Sequence, residues 1–156
     1  MISSPNQTLA AEHQHITALL ALMKQEQQSL VALNADALNE LTPRKNALLA
    51  GLAGLSKQRH AALGAAGCEA SEAGMEPWLA TGGSDEVRDQ WRSLLDAARE
   101  AKELNRVNGM LINKQLAHNQ GVLNAMRTPT NAPAGAIYGA SGQTMGVSVS
   151  RRFVVG

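Results

Sequence analysis

Histidine, cysteine and the carboxylates are the side chains here with catalytic or metal-ligating capacity, and their spacing decides what they can do. His13 and His15 stand two apart in a helical stretch. Their rings point about 200° apart and cannot share one metal ion. Glu12 and His15, three apart, do share a face, but two ligands without a third do not make a metal centre. His60 and His118 stand alone on helices, and each reads as a packed or surface side chain rather than a general base. Cys68 is the single cysteine, set in a small-residue turn with no cation beside it in sequence. It excludes an intrachain disulfide, points to a reducing compartment, and reads as structural or incidental. Thr81-Gly82-Gly83-Ser84 precedes a helix, yet no strand leads into it and no lysine follows, so it is a helix cap and not a phosphate loop. Asn6-Gln7-Thr8 matches a glycosylation acceptor, without meaning in a chain that shows no secretory signal. The expectation is a protein that is not an enzyme, with no catalytic residues, no cofactor and no metal.

Composition explains why so few groups converge. Of 156 residues, 26 are alanine and 20 leucine, aromatics are 3% and charged residues 17%. Ala and Leu favour helix because they lose little rotamer freedom there. So few aromatics line no deep ligand pocket and stack no run of bases. The net charge of +1 is too balanced for a nucleic-acid or membrane-surface binder. The longest apolar run, Ala47 to Leu55, is nine residues with two glycines, less than half the length of about 20 that a membrane span needs. The expected location is the cytoplasm, with no membrane insertion.

The elements that must position any functional surface are therefore helices. Leu9, Ile16, Met23, Leu30 and Ala37 recur every seven residues, with Leu20 and Leu41 on the next stripe and Gln27 and Asn34 as polar seam positions. This spacing predicts a first helix over 6–39 with a coiled-coil-like seam. Thr42-Pro43 is N-cap and first-turn chemistry, and Leu48, Leu49, Leu52, Leu55, Ala62 and Leu63 continue at helical spacing. That places a second helix over 43–65, ended by Gly64 and Gly67. Residues 67–84 read as a connector with one short turn at Pro77-Trp78-Leu79, and Ser84 caps a third helix over 85–127. The predicted fold class is all-α: an elongated antiparallel three-helix bundle followed by a small-residue C-terminal tail. In domain terms, 1–127 is a helical domain and 128–156 a flexible or extended tail.

The third helix carries an unbroken heptad register from Val87 through Trp91, Leu94, Ala98 and Ala101 to Met126, but its later seam holds Asn105, Asn108, Gln115 and Asn119. Leu104, Val107, Leu111, Leu116 and Leu123 lie on other faces. One partner helix cannot satisfy that pattern. Either the first two helices wrap it from both sides, or part of it waits for a helix of another protein. Gly109, in mid-helix, costs about 1 kcal/mol against Ala and suggests close helix approach or a hinge. Charge is sorted along the chain: residues 1–103 hold 9 bases and 13 acids, and residues 104–156 hold five bases and no acid. Val147, Val149, Phe153 and Val155 alternate as a short strand pattern at the end of the tail.

Leu104-Asn105-Arg106-Val107-Asn108-Gly109-Met110-Leu111-Ile112 resembles the Leu-Asn-x-x-Asn-Gly-x-Leu-Ile segment of the FlgN family of flagellar export chaperones. Tyr138-Gly139-Ala140-Ser141-Gly142-Gln143-Thr144 resembles its Tyr-Gly-x-x-Gly-Gln-Thr tail. The run Leu41, Lys45, Leu48, Leu49, Leu52, Leu55 and Arg59 is similar but less specific. The resemblance covers most of 9–144 and leaves 145–156 outside. It implies a cytoplasmic chaperone that binds the C-terminal helices of hook–filament junction proteins, prevents their premature assembly and delivers them to flagellar export gate components. The expected cargo-binding residues are Leu104, Val107, Leu111, Ile112, Leu116, Val122 and Leu123. Asn105, Asn108 and Gln115 are expected to set register by hydrogen bonding, and Tyr138 to contact the export machinery. The alternative is a structural coiled-coil adaptor that acts by self-association.

Overall fold

The computed structural model describes residues 3–127. These residues are all-α, with no strand among them: a 3₁₀ turn at Pro5–Thr8, then α1 (Leu9–Val31), α2 (Ala35–Ala65), a second 3₁₀ turn at Glu72–Gly74, α3 (Met75–Gly82) and α4 (Asp85–Arg127). The chain divides into two compact units, Met1–Asn113 and Lys114–Gly156. Of the second, residues 114–127 are described. The strand pattern at Val147–Val155 lies outside the described residues. Among the described residues no helix is long and apolar enough to cross a membrane.

Four helices replace the expected three, and the first break falls earlier than Thr42-Pro43. α1 ends at Val31, not at 39, and α2 begins at Ala35, not at 43. The Leu33 N–H donates to the Leu30 carbonyl at 3.2 Å and the Asn34 N–H to the Ser29 carbonyl at 2.9 Å, a Schellman ending that satisfies the last free carbonyls of α1. Leu33 takes the left-handed position of that motif at φ 56°, where glycine is usual. Asn34 then turns from seam residue into N-cap, accepting from the Ala37 N–H at 3.1 Å. Pro43 sits inside α2, where its missing N–H removes the ladder bond to the Asn39 carbonyl.

Other punctuation falls where the sequence places it. Gly67, at φ 84°, ends α2 with the same pair of bonds, Gly67 N–H to the Gly64 carbonyl at 3.1 Å and Cys68 N–H to the Leu63 carbonyl at 2.9 Å. The turn around Pro77-Trp78-Leu79 is α3, whose Met75 and Leu79 are buried. Ser84 caps α4, its hydroxyl accepting from the Val87 N–H at 3.2 Å, with Asp85 and Glu86 in the first turn, as the helix dipole favours.

The first unit has one core. Leu9, Ile16, Leu19 and Met23 of α1 meet Leu63 of α2, Met75 and Leu79 of α3, and Trp91, Leu94 and Ala101 of α4. Of the sevenfold stripe, Leu9, Ile16, Met23 and Leu30 are buried and mark the packed face of α1, whereas Ala37 falls in α2 and is half-buried. Arg59 on Glu12 and Lys45 on Glu26 make α2 antiparallel to α1. Asn108 on Glu26, with Glu86 and Asp89 beside Leu9 and His13, makes α4 parallel to α1.

Candidate functional site

Two polar clusters fix how α4 is held in the first unit. In one, the Arg59 guanidinium, 2% exposed, is gripped from both sides. It donates through Nε and Nη2 to the Glu12 carboxylate at 2.9 and 3.1 Å, and through Nη1 and Nη2 to Glu72 at 2.8 and 2.9 Å. Thr8 donates to Glu12 at 2.7 Å, and the Trp91 ring lies 4.7 Å from the guanidinium carbon. Burial alone would push this guanidinium down. The hydrogen bonds and charges of Glu72 and Glu12 outweigh it and hold Arg59 above its ordinary range. The Arg59 hydrogen bond in turn holds the Glu72 carboxyl below the usual carboxylate range, against the opposing effect of its partial burial.

The second cluster is carried by Asn108. Its Nδ2 donates to the Met23 carbonyl at 2.9 Å and to Glu26 at 2.8 Å, and Lys45 reaches the same carboxylate at 3.2 Å and the Asn105 side chain at 3.0 Å. These bonds pair the Asn108 Nδ2 and the Glu26 carboxylate, which would otherwise be buried without partners. They pin α4 to α1 and α2.

The candidate residues separate by surroundings. Asn108, expected at a cargo surface, is 1% exposed and bonded inside the unit through its Nδ2, while its Oδ1 is buried without a hydrogen-bond partner among the described residues. Leu104, Val107 and Leu111 are half-buried along one stripe of α4, while Asn105 is exposed. Leu104 and Val107 line a cavity of about 540 Å³ with Lys24, Gln27, Gln28, Glu100 and Glu103. Ile112 is 40% exposed. In the second unit Gln115 is half-buried, and Leu116, Val122 and Leu123 are 60%, 44% and 49% exposed. At helical spacing Leu116, Asn119, Val122, Leu123 and Met126 fall within an arc of about 120°. Met110 and Met126, at 58% and 78% exposed, also belong with the exposed apolar residues and were missed as site residues. Their type and spacing were visible, but nothing in the sequence marks them as uncovered. Tyr138 lies outside the described residues.

Glu12 turns to Arg59, and His15 Nδ1 bonds the Ala11 carbonyl at 2.9 Å instead of facing Glu12. Among the described residues no three His, Cys, Asp or Glu side chains come together as metal ligands. His60 lies 3.6 Å from Glu72, and His118 and His13 are exposed. Cys68 is a free, half-buried thiol packed against the core.

Fold and surface thus define a class: the described residues are all-helical, the first unit has a packed core, and residues 114–127 expose leucine, valine and methionine. The chain belongs to the FlgN family, described as FlgN protein, whose match spans residues 1–146. The flagella synthesis protein FlgN of Salmonella typhimurium is 30% identical over 129 residues, covering 83% of this chain and 78% of its own. That of Proteus mirabilis is 28% identical over 145 residues, covering 92% and 91%. That of Escherichia coli K12 is 30% identical over 128 residues, covering 81% and 79%. No solved structure matches the chain.

Proposed function

We propose that this member of the FlgN family serves flagellar assembly as a cytoplasmic type III export chaperone. In this reading it binds the C-terminal helical region of hook–filament junction proteins, keeps them from assembling early and hands them to the export gate. Family membership supports the flagellar role, since the relatives bear the name flagella synthesis protein. The observation that carries the binding role is the apolar face of residues 114–127, where Leu116, Val122 and Leu123 are largely exposed among the described residues. Covering the exposed half of one such leucine is worth about 1 kcal/mol, so several of them together give useful affinity for the apolar stripe of a partner helix. Leu104, Asn105, Val107, Leu111 and Ile112 form a separate set in the first unit, and Gln115 adds a polar contact in the second. Tyr138 is assigned to the export machinery.

Calorimetric titration tests the reading, using each junction protein intact and with its C-terminal helix removed. Micromolar or tighter binding that vanishes on truncation is expected. No binding to either intact protein would overturn it. A tight oligomer of the chain alone, lost on Leu116→Asp, would favour the self-associating adaptor.

A further inference from the structure

Asn108-Gly109 is the one Asn-Gly pair in the chain. Packing does not explain the glycine, since an added Cβ there meets nothing within 4 Å. The pair has a chemistry of its own. A carboxamide before glycine is open to attack by the next backbone nitrogen, because glycine has no Cβ to hinder the bent backbone that attack requires. The Gly109 nitrogen bonds to the Asn108 Cγ, ammonia leaves, and a five-membered succinimide ring results. Water then opens the ring at either carbonyl, leaving aspartate or its isomer with the main chain running through the side-chain carbon. In sum, the amide and one water become a carboxylate and ammonium, with no oxidant and no enzyme.

The packed helix blocks this reaction twice. Gly109 lies inside α4, so its N–H is committed to the helical ladder, where the Asn105 carbonyl accepts it. Attack needs that bond broken. It also builds negative charge on Oδ1, which a donor must stabilise. Oδ1 is buried without a hydrogen-bond partner among the described residues, and the Glu26 carboxylate lies 2.8 Å from the Nδ2 of the same amide. The carboxamide is therefore inert while Asn108 stays packed at 1% exposure, and reactive once that stretch opens.

The product does not fit the place it came from. Nδ2 donates to the Met23 carbonyl at 2.9 Å and to Glu26; a carboxylate there has no proton to give and faces two acceptors. Lys45 is already paired with Glu26 at 3.2 Å, and a second buried carboxylate beside the first is costly. We propose that Asn108-Gly109 is a self-deamidation site gated by the docking of α4. Opening of this stretch exposes the pair to conversion, and conversion removes the contact that would return the helix to the core. The chain so carries a one-way record of undocking. This site lies in the first unit and does not depend on the junction-protein reading.

Peptide-mapping mass spectrometry of the full chain incubated at neutral pH tests it, following the gain of about one dalton at each asparagine. In denaturing urea Asn108 is expected to convert at least about tenfold faster than Asn105 or Asn113, which precede Arg106 and Lys114. In the folded chain its rate should fall about a hundredfold or more, since it then follows the population of the open form. Glu26→Ala, which removes one of the two acceptors, should raise the folded rate about tenfold. Sub-denaturing urea should raise it in the wild type, in step with amide exchange at residues 104–113; this series decides if Glu26→Ala does not fold. Asn108→Asp should speed that exchange about tenfold, and Asn113→Asp, at an exposed position, should not. No preference for Asn108 in denaturing urea, or equal rates in folded and unfolded chain, would overturn the proposal. So would a folded rate that sub-denaturing urea leaves unchanged, or an Asn108→Asp chain that exchanges like the wild type.

Discussion

Leu94 and Leu116 are the same residue type on the same helix, yet one is 6% exposed and the other 60%. Through Asn108, α4 alternates buried and exposed positions; among the described residues after Asn108, none is buried. Propensity cannot explain the difference, since both stretches are made of good helix formers. What differs is the opposing surface. α1 lends α4 its sevenfold stripe and the Glu26 carboxylate, and α1 stops at Val31. An apolar residue on a helix is core or interface only by virtue of what faces it.

Several substitutions would sharpen or break this comparison. Arg59→Ala has the largest expected effect, because it leaves Glu12 buried without its cation: a loss of about 3–5 kcal/mol, read by urea denaturation. Leu94→Ala should cost about 2–5 kcal/mol through the cavity it leaves, whereas Leu116→Ala should stay within about 0.5 kcal/mol, as exposed positions do. Similar losses at the two leucines would erase the distinction between packed and uncovered stretches. Gly109→Ala should stabilise the chain by about 1 kcal/mol, since an added Cβ there meets nothing within 4 Å. That open space removes close helix approach as the reason for this glycine; a hinge would show as weaker partner binding in the more stable variant. A small effect also belongs to pH. Glu72 is held below its ordinary value by Arg59, so its contribution is complete above the unfolded carboxylate pKa of about 4.3 and is lost as pH falls through the lower folded value. The side chain is 59% exposed, which limits that contribution to less than about 1 kcal/mol. Comparing the acid limbs of wild type and Glu72→Gln measures it.

Legibility in the sequence followed the same line between local and distant causes. The stripe Leu9, Ile16, Met23 and Leu30, the Ser84 cap and the Gly67 stop are local signals, and each does in the structure what its chemistry prescribes. The stop at Leu33 uses the bonding pattern of Gly67 with a leucine in the left-handed position, so the residue type that announces such an ending was missing and Thr42-Pro43 drew the break instead. Glu12 and Arg59 are 47 residues apart, and no spacing rule connects them. The amides of α4 were visible as a group, but only Glu26 and the Met23 carbonyl decide that Asn108 is the one inside. Which leucines face water was hidden for the same reason.

The Asn108 contact also sets an order of events in time. Arg59 meets Glu72 across 13 residues of chain and Glu12 across 47, whereas Asn108 meets Glu26 across 82. Closing the longer loop costs more entropy before any contact offsets it. The expected order is that the hairpin of α1 and α2 and its connector assemble first, with α4 docking on them as the late step. Asn108→Ala should then speed unfolding while leaving the refolding rate nearly unchanged in a stopped-flow chevron. In that case the residue that pins the last helix in place is a latch on the folded state, with little part in finding it.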